Sequence, residues 1–306
     1  MKEQIQYFYN IKDIDLKEST DYYYFKWNNN DYYFCKINKG NSEIETLFKI
    51  VEERNQKKIK TFQPIQNQFH TFMTSINQET YILFEYNDAK KEYSILDMIQ
   101  CQRSQIINEN NTILDRSNWV YLWTEKIDYL EYQVHELGKK YPIIINSFSY
   151  FVGLAENAIC YAKQSQRYIY NSKKVLSHKR VYYPNYGVNY DNPLNFIVDI
   201  EVRDIGEFIK YLALENIEYA LIDLKTYIET EKLNIYNLSM LFARLLFPSY
   251  YFDAHEKIIN TNKPEEEILK IVEKTEYYEQ FLKKAWQMMR TYAPIEEIQW
   301  ITKEEL

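Results

Sequence analysis

Four residues between positions 178 and 199 have the types and order that phosphoryl transfer requires. His178 comes first, Arg180 stands two residues later, and Asn185 and Asp199 follow. In kinases, a loop His-x-Asp supplies the Asp that accepts the proton of the substrate hydroxyl. An Asn shortly after it and a more distant Asp hold magnesium against the ATP phosphates. The order of residues therefore predicts the outline of a kinase catalytic loop and of the metal-binding strand after it.

The base position of this loop holds an arginine instead of an aspartate. Arg180 is protonated at any physiological pH and cannot accept a proton. Its guanidinium either forms a buried ion pair with Asp199 that excludes magnesium, which we expect, or binds an anion through its fork of N–H donors. We therefore predict no catalytic residue in this degenerate loop, and we expect His178 to order the loop by hydrogen bonding inside the protein.

The two candidate metal ligands are Asn185 and Asp199. Their oxygen atoms suit magnesium, and the short strand predicted at Asn195–Asp199 gives them a loop-strand-turn layout. The alternative is that they stabilise turns, as Asn and Asp commonly do in such loops. We expect Asp204, near the start of the next helix, to accept backbone N–H groups of the loop.

A candidate nucleotide-binding pair lies near the N-terminus. Lys36 ends the apolar run YYFCKI and could pair with phosphates, with Glu45 as its partner on the following helix, or Glu43 or Glu52 in its place. The alternative is a solvated lysine on an edge strand. The glycine-rich phosphate loop of kinases is missing, because the first glycine is Gly40, after the whole first hairpin.

Hydrophobic patterning predicts an α+β chain with strands first and helices later. A hairpin is expected at Asp21–Ile37, a helix from Ser42 to Lys58 with a Ser42–Glu45 capping box, and strands at Phe69–Ser75 and Thr80–Tyr86. Helices follow at Asn118–Lys140, Ile145–Ser165, Ile205–Glu215, Ile217–Thr230, Ile235–Leu246 and Pro264–Tyr292, the last broken once. We place the domain boundary after residue 88, which gives a β-rich lobe (1–88) and a helical lobe (89–306).

Composition excludes several classes of function. The 306 residues carry a net charge of −7 without a long basic run, which argues against a nucleic-acid partner. No apolar run approaches the ~18 residues of a membrane helix, so no membrane span is expected. Cys35, Cys101 and Cys160 are widely spaced and indicate reduced thiols.

Tyrosine is the compositional anomaly, with 31 residues against 5 glycines. Codon bias with ordinary core and interface packing explains this richness most simply. The alternative is a tyrosine-studded surface suited to assembly or oxidative cross-linking.

Four separated segments carry a family resemblance. They are SFSYFVGLAENAICY (Ser147–Tyr161), LSHKRV (Leu176–Val181), DIEVRDIGEFIK (Asp199–Lys210) and ARLLFPSYYFD (Ala243–Asp253). In these segments the chain resembles the YutH-type spore-coat proteins of spore-forming Firmicutes, relatives of the CotS group, which are similar in fold to aminoglycoside and choline phosphotransferases. The resemblance implies a bilobal, protein-kinase-like fold with a small β-rich N-terminal lobe and a larger helical C-terminal lobe.

The resemblance also implies a place in the endospore coat, reached from the cytoplasm of the mother cell, with other coat proteins as partners. Together with Arg180 and the missing glycines, it favours a catalytically degenerate kinase-like protein that acts in coat structure or assembly and has no cofactor. Two alternatives stay open. One is an active small-molecule phosphotransferase that uses ATP and Mg²⁺, with Asp191 as its base; the other is a pseudokinase that binds ATP as a sensor. The oligomeric state is not predicted.

Overall fold

The computed structural model describes residues 1–19, 22–87, 93–104, 113–137, 140–168, 173–181 and 190–302. The chain divides into two compact units. Met1–Glu92 with Pro184–Phe196 is called the sheet unit here, and Tyr93–Tyr183 with Ile197–Leu306 is called the helical unit. The predicted boundary between residues 88 and 89 lies outside the described residues.

The sheet unit is built on an antiparallel sheet with the strand order β1-β2-β3-β6-β4, in which β5 also pairs with β6. Its strands are β1 (Lys17–Glu18), β2 (Tyr22–Trp27), β3 (Asn30–Ile37), β4 (Gln63–Ile65), β5 (Met73–Ile76) and β6 (Glu79–Glu85). Its helices are α1 (Lys2–Tyr9) and α2 (Asn41–Gln56).

The predicted hairpin forms from β2 and β3. Trp27 pairs with Asn30, which leaves Asn28 and Asn29 as the two turn residues. Both have positive φ, at 49° and 66°. Asparagine tolerates this left-handed backbone, and two such residues in sequence match the twist of the flanking strands. The asparagine cluster in the sequence therefore marks the turn correctly.

Two local predictions in the sheet unit are wrong. Helix α2 begins at Asn41 after an extended Gly40, so Ser42 lies within the first turn and the predicted Ser42–Glu45 capping box does not form. The strand predicted at Phe69–Ser75 begins only at Met73, because the chain turns at residues 68–70 and His70 has a φ of 59°.

A two-stranded sheet is formed by β7 (Lys174–His178) and β8 (Phe196–Ile200). All of it except Phe196 belongs to the helical unit, which otherwise consists of a series of helices. The first six helices are α3 (Ile95–Ser104), α4 (Trp119–Leu137), α5 (Pro142–Ser165), α6 (Arg203–Glu215), α7 (Ile217–Glu231) and α8 (Ile235–Leu246). The others are α9 (Ser249–Thr261), α10 (Glu266–Glu273), α11 (Thr275–Arg290) and α12 (Gln299–Thr302). The predicted break in the last long helix is confirmed, because Lys274 separates α10 from α11.

The core of the helical unit is rich in aromatic side chains. Phe151 of α5 stacks on Tyr251 of α9 with ring centroids 3.8 Å apart. The segment from Leu245 to Phe252 is aromatic-rich and buried. Tyr227, Tyr251 and Tyr278 are among the largest fully buried side chains.

One stretch of the described chain has the length and apolar composition of a membrane-crossing helix. It spans Pro142–Tyr168, with a mean hydropathy of 1.3 in its most apolar window. This is weak support for a span, because core helices of globular proteins have the same character, and Phe148, Phe151 and Ala155 on it are buried.

Candidate functional site

The loop after β7 and the end of β8 bring three of the predicted site residues into the helical unit. His178 is the last residue of β7, Arg180 follows it, and Asp199 lies next to the end of β8. The two strands pair with each other, and α6 begins at Arg203, immediately after β8. Asn185, the other predicted metal ligand, lies outside the described residues.

His178 is held by the start of α6. Its Nδ1 lies 2.6 Å from Oδ2 of Asp204, and its backbone N–H donates to Oδ1 of the same carboxylate at 3.0 Å. The predicted hydrogen bond from the loop backbone to Asp204 is thus confirmed. The imidazole is fully buried and bonds inside the unit, as expected of a residue that orders the loop.

Arg180 pairs with an acid from a distant part of the chain. Its Nη2 donates to Oδ1 of Asp253 on α9 at 2.8 Å, and Lys126 approaches the same carboxylate oxygen at 3.4 Å. The carboxylate of Asp199 is paired with Arg203 instead. The predicted Arg180–Asp199 pair is therefore wrong, because the fold brings a different arginine to Asp199.

Asp199 has no exposed surface, and both of its oxygens accept hydrogen bonds from the protein. The indole Nε1 of Trp119 and the backbone N–H of Ile200 donate to Oδ1 at 2.9 and 2.8 Å, and Arg203 donates to Oδ2 at 3.2 Å. Burial raises the pKa of Asp199 to about 6, although Arg203 and Arg244 oppose the rise. The carboxylate is nevertheless ionised at neutral pH and neutralised by a guanidinium.

Arg203 joins Asp199 to the loop after β7. Its Nε donates to the carbonyl of His178 at 3.1 Å, and its Nη2 donates to the carbonyl of Lys179 at 3.2 Å. The loop backbone, the arginine and the carboxylate therefore form one connected polar network, in which every member named here has a partner. Such a network rigidifies the backbone around it.

This arrangement does not fit a magnesium ion on Asp199. A metal ligand must offer a lone pair, whereas the groups facing this carboxylate are three N–H donors, one of them cationic. Among the described residues there is also no group of three or more His, Cys, Asp or Glu side chains that could hold a metal ion. The assignment of Asn185 and Asp199 as metal ligands stays a prediction.

Lys36 lies on the same face of the sheet as Phe34. Along β3, Phe34 packs in a cluster with Ile5 and Ile11, whereas Tyr33 points to the other face and contacts Phe62. Because side chains alternate along a strand, Lys36 shares the face of Phe34.

The ion pair of Lys36 follows from that orientation. It pairs with Glu79 of β6, and this contact, with a second from Tyr81, holds the pKa of Glu79 below its usual value. Glu43 pairs with Lys39, and Glu45 is exposed. The predicted pairing of Lys36 with an acid of α2 is therefore wrong. A nucleotide-binding role for Lys36 and Glu45 stays a prediction.

Asp191 would be the catalytic base if the protein were an active phosphotransferase. In the structure it is a buried residue of the sheet unit. Its carboxylate accepts from Tyr86 at 2.5 Å and from Arg54 at 3.3 Å. Its backbone carbonyl accepts from Thr61 and from the N–H of Phe62. These contacts join the chain just before β4 to the residue after β6 and leave the side chain of Asp191 6% exposed.

Sequence reasoning missed a buried ion cluster beside Asp199. Glu207 of α6 pairs with Lys210 at 2.7 Å and with Arg244 of α8 at 2.5 Å, and Ser249 donates to its second oxygen at 2.8 Å. Burial would raise the pKa of Glu207, but Arg244 and Lys210 outweigh it and hold the pKa well below its usual value. Burial lowers the pKa of Lys210 to about 8.

The available signal for this cluster was a Glu and a Lys three residues apart within the largely apolar stretch from Ile205 to Ala213. Arg244 completes the cluster by lying over the rings of Trp119 and Trp123, at 5.1 and 5.6 Å from their centroids. The same indole that donates to Asp199 thus also packs against the cation that neutralises Glu207. The site is a closed polar core.

Comparison with known families and structures gives consistent findings. A sequence model described as spore coat putative kinase YutH matches residues 2–285. The endospore coat-associated protein YutH of Bacillus subtilis (strain 168) is 26% identical over 213 residues, which cover 60% of this chain and 61% of that protein. The alignment therefore spans less than two thirds of the relative.

Solved structures are similar over most of the chain. An aminoglycoside phosphotransferase from Alicyclobacillus acidocaldarius superposes with a TM-score of 0.63 at 8% identity, covering 92% of this chain and 93% of its own. The AMP-bound complex of a spectinomycin phosphotransferase superposes with a TM-score of 0.60 at 11% identity, covering 93% and 96%. At such identities the likeness shows the fold alone. The predicted α+β, aminoglycoside phosphotransferase-like fold, with a small β-rich lobe and a larger helical lobe, is confirmed.

Proposed function

Because the chain belongs to the spore coat YutH family, we propose that it acts in the structure or assembly of the endospore coat and does not transfer phosphate. Its partners are other coat proteins, and it reaches the coat from the cytoplasm of the mother cell. The description of the Bacillus subtilis relative as coat-associated supports this location. The mechanism is binding through surfaces of a kinase-like fold.

The enclosure of Asp199 carries the proposal that phosphate is not transferred. A phosphotransferase needs a carboxylate at this position that faces solvent and metal. Here the carboxylate is fully buried and accepts hydrogen bonds from Trp119, Ile200 and Arg203. Releasing it for a metal would leave the cation of Arg203 without its ionic partner in a dry environment, which is costly.

Two further residues support the same conclusion. Arg180 occupies the base position and is engaged by Asp253. Asp191, which would be the base of an active small-molecule phosphotransferase, forms an ion pair with Arg54 and accepts a hydrogen bond from Tyr86. A proton acceptor at the substrate hydroxyl is therefore missing from the positions where sequence reasoning placed one.

A thermal-shift experiment with Mg-ATP tests this proposal. A ligand present at a hundredfold excess over its Kd stabilises the folded state by about 2.7 kcal/mol, which is readily measured. We expect the melting temperature of the purified protein to stay unchanged with Mg-ATP, while an active aminoglycoside phosphotransferase assayed in parallel shows a clear rise.

Other outcomes identify the alternatives. A shift without phosphate release, abolished by Lys36→Ala, would indicate a nucleotide-sensing pseudokinase. Phosphorylation of an amino alcohol or an aminoglycoside that is lost in Asp199→Ala would establish an enzyme. It would contradict the proposal that phosphate is not transferred.

The coat assignment has its own test. A fluorescent fusion expressed in the mother cell of a sporulating Bacillus should form a shell around the developing spore. Fluorescence that stays uniform through the mother-cell cytoplasm until lysis would contradict the assignment, whatever the nucleotide experiments give.

A further inference from the structure

The solvent-facing side of α4 carries three exposed tyrosines. The inward side of this helix holds Trp123 and Leu130, which are buried. On the other side, Tyr121, Tyr129 and Tyr132 have 58%, 54% and 66% of their surfaces exposed. Single exposed aromatic residues need no explanation, but three on one side of a single helix concentrate the residue type most typical of protein interfaces.

Helix geometry interleaves these tyrosines with acids. Tyr121 and Tyr132 lie eleven residues apart, close to three full turns, so they fall on one line along the helix. Residues four apart are neighbours on a helix surface, and each tyrosine has an acid at that spacing. We call this set the tyrosine–acid stripe; its members are Tyr121, Glu125, Asp128, Tyr129, Tyr132 and Glu136. It is about 22 Å long.

The stripe is negatively charged because Lys126, the lysine of the same helix, pairs with acids outside the stripe. Lys126 of α4 is largely buried and pairs with Asp253 and Glu256. Glu125 and Asp128 have no ionic partner among the residues that the structure describes. Glu136 has only the neighbouring His135 of the same helix, at 3.5 Å.

We propose that the tyrosine–acid stripe binds a lysine- or arginine-rich segment of a partner protein. A basic side chain laid over a tyrosine ring gains a cation–π contact, and the acid one turn away gives the same cation a carboxylate. This inference rests on the proposed role in assembly and specifies the chemistry of one partner.

Charge complementarity selects this occupant over a second copy of the chain. Each copy carries a net charge of −7, so two stripes facing each other would bring like charges together. A basic segment neutralises the acids and covers the tyrosines at once. Binding is therefore expected to weaken as salt screens the charges.

The test uses the full chain and a fluorescein-labelled decalysine peptide, whose extended length of about 33 Å exceeds that of the stripe. Binding is measured by fluorescence anisotropy at low and at physiological salt. We expect Glu125→Gln, Asp128→Asn and Glu136→Gln, combined in one variant, to weaken binding about tenfold or more. The double variant Tyr129→Ala, Tyr132→Ala, which keeps all charges, should weaken it about fivefold, because the cation–π contacts are lost.

The chain offers a control variant of equal charge. Glu266, Glu273 and Glu276 are exposed acids of α10 and α11 without ion pairs among the described residues. Changing all three to Gln alters the net charge from −7 to −4, the same three charges as in the stripe variant. The control should bind decalysine within about twofold of the wild type, since its stripe is intact. Melting temperatures of all variants establish that each is folded.

Three results would overturn the proposal. The control variant could lose as much affinity as the stripe variant, which would mean non-specific attraction to an acidic protein. The stripe variants could bind decalysine as the wild type does. Sedimentation could reveal a dimer that Tyr129→Ala, Tyr132→Ala dissolves, which would make a second copy the occupant. Phosphate transfer from ATP would contradict the proposed function but would leave the peptide-binding results unchanged. Failure of the proposed function is therefore distinguishable from failure of the proposed binding site.

Discussion

Ion pairs around α6 and those around β3 differ in burial, and the difference explains what each contributes. Lys210 of α6 is completely buried against Glu207, which is also paired with Arg244. In the sheet unit, the side chains of Lys36 and Glu79 are 46% and 43% exposed. Both regions contain a Lys–Glu pair, but only the first is removed from water.

Burial decides how much each pair matters to the fold. A buried charge that loses its partner bears the whole cost of desolvation, whereas an exposed charge turns to water. Removing one partner from the cluster around Glu207, or from Asp199, is therefore costly to the stability of the helical unit. In this chain, the carboxylate of Asp199 is part of the core.

The largest expected effect is that of Glu207→Gln. This change leaves the cations of Lys210 and Arg244 buried without a counter-charge, and we expect it to lower the free energy of unfolding by about 3–5 kcal/mol. Urea denaturation measures the change. Glu218→Gln, which breaks an exposed pair with Lys284, is the matched control and should stay within about 1 kcal/mol of the wild type. Equal losses of unfolding free energy in the two variants would show that burial does not decide how much an ion pair contributes.

A second effect comes from His255, whose side chain is buried against Phe148 and Tyr251. Neither ring nitrogen has a hydrogen-bond partner within the described part of the chain. Burial lowers the pKa of His255 to about 4 from its usual value of 6.5, and Lys126 adds to the shift. Between these values the unfolded chain binds a proton that the folded protein does not, so stability falls as pH falls.

His255→Phe removes that dependence. The wild type should lose roughly 3 kcal/mol relative to the variant as the pH is lowered from 6.5 to 4. Urea denaturation of both proteins at several pH values measures the difference. A difference that stays constant across this range would show that the buried imidazole does not set the acid sensitivity.

Gly206→Ala tests how tightly the ion cluster is packed. A Cβ atom at Gly206 would lie 2.9 Å from Cγ of Arg244, near the root of that side chain, so the arginine must move. We expect a loss of about 1–3 kcal/mol in the free energy of unfolding. Gly153→Ala in α5 is the opposite case, since nothing lies within 4 Å of its Cβ position. It should stabilise the protein by roughly 0.5–1 kcal/mol, because alanine favours the helix. The same sign for both changes would refute the packing argument.

The smallest effect is expected in the sheet unit. Lys36→Ala should leave the denaturation midpoint unchanged within error, because Glu79 is solvated with or without its partner. A clear loss of stability in this variant would mean that the exposed pair contributes more than its burial implies. It would also remove the contrast between the two regions.

Local features were predictable where a few neighbouring residues decide the structure. The Asn28–Asn29 turn follows from the tolerance of asparagine for positive φ, and the break at Lys274 follows from the interrupted helical pattern. The hydrogen bond from the loop backbone to Asp204 followed from the position of this acid at a helix start. The turn and the helix break depend on neighbouring residues only, whereas the bond to Asp204 joins residues 26 positions apart.

The sequence by itself determined that strands come first and helices later, that an arginine stands at position 180, and that the chain belongs to a family. Only the tertiary structure decided which acid meets which cation. Arg180 pairs with Asp253, 73 residues away, and Trp119 reaches Asp199 across 80 residues. Strand pairing also placed Lys36 of β3 beside Glu79 of β6 instead of an acid of α2. Opposite charges attract at any sequence separation, so the partner of each charge depends on which elements the fold packs together. A linear pattern does not contain that information.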